Sequence, residues 1–349
     1  MSRHVCFIVL LLTACSSLRQ IEIETLHPAG ITFPEGVKTV LVVNNAASQT
    51  EVPYLTKLPQ KLYADTISAD STAYDFCLAL ALAIADPPYF EDVRLFEGCY
   101  REDSNAVADV SLTQDDVLAF CDEHQVNAVI SLDQLLFKIE DNYEQTWMGL
   151  TGNLNFIVSG VLRTYLPDRT GPLNTVYLSD TIAPVWNSEY FYTLPSMKEL
   201  AMGLREVSNY LATGKSNLFV PYWNEDVRWY YTSYLSQWKD AAALAAVENW
   251  KDAAAIWLAL YEKARSWKEK ARLASNLALT AEISGDYEKA LSWATLSYQI
   301  FEERLGDSHE WVKLQKKYVE VLEYRINAEK KLHLQMKHVT GMEKWKDMR

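Results

Sequence analysis

The sequence predicts an α+β protein: an N-terminal mixed α/β sheet domain followed by an all-α helical array. Three observations carry this. Up to the region of Val220, β-branched runs alternate with segments of helical period. From Glu225 onward proline disappears and alanine rises. Two gapless segments, Asn249-Trp250-Lys251-Asp252-Ala253-Ala254 and Asp286-Tyr287-Glu288-Lys289-Ala290-Leu291, recur 37 residues apart, a period typical of stacked helical repeats. A chain of 349 residues exceeds one typical core, so two domains are expected.

The first element is an address. Val5 to Leu12 form a short apolar run behind Arg3 and His4, and small residues follow, the pattern of a secretory signal. Its end, Leu12-Thr13-Ala14-Cys15, resembles the signal of bacterial lipoproteins. The resemblance implies cleavage before Cys15 and lipidation of its sulfur by diacylglycerol. Ser16 in place of Asp, again by resemblance, implies the outer membrane, and the lack of an acidic cluster directly after Cys15 a periplasm-facing protein. The apolar run is far shorter than the roughly 20 residues a spanning helix needs, so the expected membrane contact is an anchor.

The net charge of −13 becomes −14 when residues 1–14 remove Arg3, their one charged residue. Such an acidic surface repels nucleic acid phosphates and anionic headgroups as bulk partners. The C-terminal run of Lys330, Lys331, Lys337, Lys344, Lys346 and Arg349 reads as a solvated helix end. In the mature chain Cys77, Cys99 and Cys121 remain, an odd number at metal-incompatible spacing; Cys77 and Cys121 fall in apolar helical stretches and read as small buried hydrophobes.

Along the α/β half, Ile21 and Ile23 alternate with Glu22 and Glu24 as in an edge strand. Val37 to Val43 is a near-continuous β-branched run, hence a buried strand. Ser71 to Ile84 carries Tyr74, Cys77, Leu78, Ala81 and Leu82 at helical spacing and stops at Asp86-Pro87-Pro88. Val93 to Phe96 is a short strand. Thr113 with Asp116 three residues on opens a second helix, its apolar face Leu118, Ala119 and Cys121. Asn127 to Phe137 and Leu154 to Leu166 read as strands, Pro167 to Pro172 as a turn, and Thr175 to Val185 as an antiparallel return. A last helix, Ser196 to Ala212, has a stripe of Leu200, Leu204, Val207 and Leu211, with Gly214 as its C′ residue. Asn217 to Val220 adds a possible strand. The order predicts one mixed sheet with helices against a face. The second helix with Asp122-Glu123-His124-Gln125-Val126-Asn127-Ala128-Val129-Ile130-Ser131-Leu132 resembles the small α/β domain of outer-membrane accessory lipoproteins of the curli-secretion and penicillin-binding-protein-activator types.

In the second half, the later segment resembles a tetratricopeptide repeat. Leu277 and Ala278 take the Leu-small pair of its first helix, Gly285-Asp286-Tyr287 the turn, and Ala290 the close helix contact. Ala274 and Ala281 stand where that family has Trp and Tyr, no proline ends the unit at Glu302, and Glu248 replaces the turn glycine of the first copy. Two units and a long helix from His309 to Lys337 make a short array, which the α/β domain and the last helix would cap. The expected division is a signal peptide (1–14), a lipid-proximal segment with the first strand (15–36), the α/β domain (37–221), a tetratricopeptide-like helical domain (222–340) and a basic tail (341–349). In this arrangement the α/β domain stands next to the membrane and the helices extend beyond it.

Seven aromatics crowd the junction: Tyr222, Trp223, Trp229, Tyr230, Tyr231, Tyr234 and Trp238. They read either as a core or as a sugar-stacking platform, which makes Tyr222, Trp223 and Trp229 the candidate ligand-binding residues. No nucleophile elbow, zinc-protease helix, phosphate loop or dinucleotide fingerprint occurs. Cys121 and His124 share a helix turn, but Asp122 and Glu123 make a poor setting for a reactive thiol. His333 and His338 do not share a face, so no metal site is expected there. Neither catalytic residues nor cofactors are assigned. The lipidation motif, the opening Ile21 to Pro34, the Val37 to Ala46 strand, Pro221-Tyr222-Trp223 and the repeat-like tail together resemble an uncharacterised lipoprotein family of Bacteroidota, which carries no assigned reaction. The expected function is that of an outer-membrane-anchored, non-enzymatic interaction scaffold or accessory subunit with an envelope protein as partner. The alternative is a glycan- or nutrient-binding lipoprotein using the aromatics of 222–238.

Overall fold

The computed structural model describes residues 18–58, 61–147, 149–183 and 195–338. The signal peptide, Cys15, Val185 and the tail 341–349 lie outside the described residues. The fold is α+β, with a mixed sheet followed by helices. The chain divides into two compact units, one of Met1–Pro28 with Trp223–His333, the other of Ala29–Tyr222 with Leu334–Arg349. The opening strand β1 (Leu18–His27) therefore belongs to the helical unit, where it pairs with β9 (Tyr222–Tyr231). This differs from the expected order of anchor, α/β domain, helices.

In the α/β unit a five-stranded sheet runs β5-β2-β6-β7-β8. β2 (Thr39–Asn44) lies between β5 (Asp92–Leu95) and β6 (Ala128–Thr146) and is parallel to both. Val40, Leu41, Val42 and Val43 are all fully buried, as a strand covered on both faces requires. β7 (Gly149–Tyr165) and β8 (Asn174–Ile182) complete the sheet antiparallel. β6 and β7 run several residues past the expected ends, as a ribbon out to Thr146 and Gly149. The β3 (Val52–Leu58) and β4 (Lys61–Ile67) hairpin was absent from the sequence reading. Pro53 and the polar content of both strands hide it, and proline in a strand is confined to edges.

α1 (Thr72–Ala85) buries Phe76, Cys77, Leu80, Ala81 and Ile84, whereas Leu78 and Leu82 point outward. The run is apolar all round, so periodicity could not choose its face. α2 (Gln114–His124) likewise turns Val117, Phe120 and Cys121 inward and leaves Leu118 and Ala119 exposed; the large Phe120 ring decides the rotation. Its capping box is complete, with Asp116 N donating to Thr113 Oγ1 at 3.2 Å and Thr113 N to Asp116 Oδ2 at 2.8 Å. α3 (Met197–Lys215) buries Leu200, Leu204, Val207 and Leu211 as expected. Gly214 lies inside that helix rather than at C′, and Ser216–Leu218 is a 3-10 turn rather than a strand. Cys77 and Cys121 are buried free thiols and Cys99 is exposed.

The helical unit holds α4 (Ser236–Ala246), α5 (Trp250–Lys263), α6 (Trp267–Ile283), α7 (Tyr287–Leu305) and α8 (Glu310–Gln335). The 37-residue echo is structural. Glu248 and Gly285 both take positive φ, 59° and 78°. The next residue donates its N–H five residues back at both turns, Asn249 to Leu244 O and Asp286 to Ala281 O, each at 2.9 Å. Asn249 and Asp286 then cap α5 and α7 through their side chains. Each turn is a left-handed helix stop followed at once by a new N-cap. A left-handed conformation costs an L-residue about 1–2 kcal/mol, partly offset in glycine by chain entropy. Urea unfolding should therefore show Gly285→Ala destabilised by about 1–2 kcal/mol and Glu248→Gly stabilised by about 0.5 kcal/mol.

Candidate functional site

All three candidate aromatics lie on β9, a strand where the helical half was expected to have begun. Tyr222, Trp223 and Trp229 are each half-buried. The Trp229 ring packs 5.3 Å from that of Tyr318 on α8. Tyr230, Tyr231 and Trp238 are buried in a core with Trp257 and Phe301. Tyr234 is open to solvent, 85% exposed. The strand's end is held by α6: Tyr231 N donates to Asn276 Oδ1 at 2.7 Å, and Asn276 Nδ2 donates to Tyr231 O at 2.8 Å. An amide that satisfies both backbone groups of one residue grips an extended segment independently of its side chain.

Arg228, next along β9, makes a buried pair with Glu282 of α6. Its Nη2 and Nε donate at 2.8–3.0 Å, and Tyr318 OH donates to Glu282 Oε2 at 2.8 Å. Burial pulls the Arg228 pKa down, but the hydrogen bonds and charge of Glu282 outweigh it and the net shift is upward. Burial and the neighbouring carboxylate push the Tyr318 hydroxyl well above the usual tyrosine range. β9, α6 and α8 thus meet at one charged lock.

A second set extends from the lock along the ribbon. Thr25 Oγ1 donates to Asp226 Oδ2 at 2.7 Å, His27 Nε2 lies 3.3 Å from the same oxygen, and Arg228 Nη2 lies 3.5 Å from it. Burial lowers the His27 pKa, against the pull of Asp226 and with the push of Arg325 and Arg228. Burial raises Asp226, but the Thr25 hydrogen bond and the charges of Arg228 and His27 leave it lowered. A histidine with a depressed folded pKa binds fewer protons in the native state, so its stabilising effect is complete above pH 6.5 and is lost as pH falls through the folded value. Asp226 acts in a lower window, present above 3.8 and lost as pH falls through its depressed value. The urea midpoint of this unit should fall between about pH 7 and about pH 5; His27→Gln should flatten that segment and leave the acid limb.

In the α/β unit the charged centre is Asp133, fully buried at a bulge between Leu132 and Gln134 of β6. It accepts from Asn45 Nδ2 at 2.9 Å, Arg163 Nη1 at 2.7 Å, Tyr165 OH at 3.2 Å, and Ser131 Oγ. Arg163 also holds Asp109 through two hydrogen bonds of 2.6 and 2.7 Å. Gly160 of β7 lies against this bulge, and a Cβ there would meet Gln134 O at 2.4 Å. An open cleft of about 410 Å³ lies between β8 and α3, lined by Asp180, Thr181, Ile182, Glu206, Val207 and Tyr210. Cys121 is pushed up to about 11 by burial and by Asp122, the opposite of an activated thiol. Among the described residues no group of three or more His, Cys, Asp or Glu is placed to hold a metal, and no helix is long and apolar enough to cross a membrane.

Sequence reading missed both networks. Arg228 and Glu282 are 54 residues apart and Asp133 and Arg163 are 30 apart, so no local spacing announces them.

The sequence matches a family described as Domain of unknown function (DUF8603) over residues 37–231, and one described as Domain of unknown function (DUF6340) over residues 239–324. A comparison with curated proteins found no match. Among solved structures, the PelC dodecamer from Paraburkholderia phytofirmans is 13% identical, covers 58% of this chain and 99% of its own, and has a TM-score of 0.27. A neuraminyllactose-binding hemagglutinin homolog from Helicobacter pylori is 11% identical, covers 52% and 85%, and has a TM-score of 0.23. Likeness at this level carries no argument about function.

Proposed function

The chain belongs to the family described as Domain of unknown function (DUF8603), and on that premise we propose that it is a lipid-anchored, non-enzymatic interaction protein of the bacterial cell envelope. Cys15 tethers it to the outer membrane, facing the periplasm, and the helical unit presents the surface a partner protein meets. The resemblance of residues 12–15 to lipoprotein signals supports the tether. The resemblance of the paired helices to tetratricopeptide repeats supports the partner role.

The observation that carries the non-enzymatic reading is that the two carboxylates at the centres of the charged networks, Glu282 and Asp133, are buried and used up internally. Glu282 is held by Arg228 and Tyr318, and Asp133 accepts from four side chains. Catalytic groups need an open side toward a substrate. By contrast Tyr234, Val247 and Tyr324 are exposed on the helical unit with no task in its core, and exposed aromatics are favoured interface anchors. The glycan alternative rests on the same aromatic run, where Trp229, Tyr230, Tyr231 and Trp238 pack into cores and Tyr234 offers one open ring.

Mass spectrometry of the N-terminal peptide tests the tether: wild type should carry acyl chains that Cys15→Ser lacks. Purification from solubilised envelopes tests the role. One partner should be recovered with wild type and lost with Tyr234→Ser plus Val247→Ser. Binding of an oligosaccharide, with no protein partner recovered, would instead favour the glycan reading.

A further inference from the structure

The parallel strands of the α/β unit change their direction of travel at β2. From β2 the chain passes through the β3–β4 hairpin and α1 to β5 on one side, then through α2 to β6 on the other. In open α/β sheets, ligands bind in the crevice beyond the carboxyl ends of the strands at such a reversal. That place holds Asn45, the residue after β2, together with Asp133 and Gln134 at the β6 bulge and Arg163 on β7. Bulges re-aim side chains beside functional sites. This one leaves Asp133 without a cross-strand partner, between Leu132 opposite Leu162 and Gln134 opposite Val161.

A strap, residues 101–112, covers the spot on its way from β5 to α2. It is wrapped around Arg101, which bonds the Asp103 carboxylate and donates to Asn105 O at 2.8 Å and Ala108 O at 2.9 Å. None of residues 102–111 is buried, so apolar packing does not hold the strap down between Arg101 and the buried Leu112. Three polar grips do, and each comes from the crevice. Asn45 Nδ2 donates to Val110 O at 2.8 Å, Gln134 Nε2 donates to Val107 O, and Arg163 donates to both oxygens of Asp109 at 2.6 and 2.7 Å. A segment with few buried apolar contacts opens at low cost, as ligand-binding lids do.

We propose that the strap is an internal stand-in for an extended acidic segment of a partner protein, which Arg163, Asn45 and Gln134 bind when the strap lifts. The grips define what is recognised: two backbone carbonyls three residues apart and a carboxylate between them. The amides read main chain whatever side chains it carries. The guanidinium fork matches a carboxylate with two parallel bonds, which selects Asp or Glu. Asp133 is the positioning residue: fully buried, it holds Arg163 Nη1 at 2.7 Å. The Arg163 side chain is 11% exposed and that of Asp109 36%, so the carboxylate exchanges while the fork stays in place. Replacing one carboxylate by another also leaves the charge of the cluster unchanged. A small free anion would satisfy Arg163 alone and leave both amides facing the vacated space, which favours a peptide. The site needs neither the lipid anchor nor the helical unit, and it gives the chain a second contact for a protein partner.

The test compares the full chain with Asp109→Asn, a change at a surface side chain that loosens the strap, with circular dichroism to check the fold. The probe is a fluorescent peptide of sequence Asn-Ala-Val-Ala-Asp-Val-Ser-Leu, that of residues 105–112, alongside a neutral peptide with Asn in place of its Asp. Fluorescence anisotropy reads binding. In wild type the strap competes with the probe through its own carboxylate; in the variant it competes without one. A charge-assisted hydrogen bond is worth about tenfold or more. The acidic peptide should therefore bind Asp109→Asn about tenfold or more tightly than wild type, and exceed the neutral peptide on the variant by a similar factor. Equal binding of the acidic peptide to both proteins, equal binding of both peptides, or no saturable binding would overturn the proposal. Inorganic phosphate displacing the probe as effectively as unlabelled acidic peptide does would reduce the site to one for simple anions and overturn it too. Wild type sedimenting as a dimer that Asp109→Asn dissolves would assign the site to the strap of a second copy, against a foreign segment. None of these results bears on a partner recovered through Tyr234 and Val247, so the two readings fail separately.

Discussion

Arg228→Ala should destabilise the helical unit by about 3–5 kcal/mol, the range for removing one partner of a buried ion pair. The Glu282 side chain is 1% exposed, so no water replaces the guanidinium. The carboxylate would keep only the Tyr318 hydrogen bond. Urea unfolding followed by far-ultraviolet circular dichroism reads the loss. Glu282→Ala should fall at the lower end of that range, because Arg228 keeps Asp226 Oδ2 at 3.5 Å and its hydrogen bond to the Val227 carbonyl.

The sharper measurement is the double replacement. Buried ion pairs often contribute little beyond what apolar residues of similar volume would provide. Arg228→Met with Glu282→Leu should therefore recover most of the loss, leaving Tyr318 with one unsatisfied hydroxyl at about 1–3 kcal/mol. If the double variant is as unstable as either single one, the pair does more than neutralise itself. The lock would then be what fixes the register of β9 on α6 and α8.

These predictions concern what the sequence concealed. β2 was legible because a strand covered on both faces must be apolar throughout, and Val40 to Val43 are. The α3 stripe was legible because one face of that helix is polar. The repeat was legible through Asn249 and Asp286, since N-capping needs a short polar side chain at a fixed place. Where both faces of an element meet similar surroundings, the signal vanished. α1 is apolar all round, which hid its rotation, and the polar residues 138–146 of β6 gave no hydrophobic alternation to follow. The aromatic run was read as a core or a platform, and β9 has one end in each kind of setting: Tyr230 and Tyr231 are buried, while Asn224 and Glu225 are exposed. The ion-pair networks depend on partners brought together only by the fold.

Asp133→Ala should cost the α/β unit about 3 kcal/mol, the lower end of the range for breaking a buried pair. Arg163 is not stranded, because Asp109 keeps two of its hydrogen bonds. The loss falls on Asn45, Ser131 and Tyr165, whose donors face the vacated space. Asp133→Asn keeps the volume and should lose less, and pH separates the two effects. Burial pushes Asp133 above its ordinary 3.8, more strongly than its donors pull it down. An acid with a raised folded pKa binds more protons in the native state, so its contribution is present below the unfolded value and lost as pH rises through the folded one. Asp103 and Asp109 are lowered chiefly by hydrogen bonds from Arg101 and Arg163. Those two act in the opposite sense and only below 3.8. Just above that pH, acidification should stabilise wild type through Asp133. Asp133→Asn should lack that gain and keep the acid limb below it. Urea titrations of both proteins from about pH 7 to about pH 3 read the difference. Parallel curves would mean that the four donors hold Asp133 ionised despite its burial, and that the bulge is built around a permanent charge.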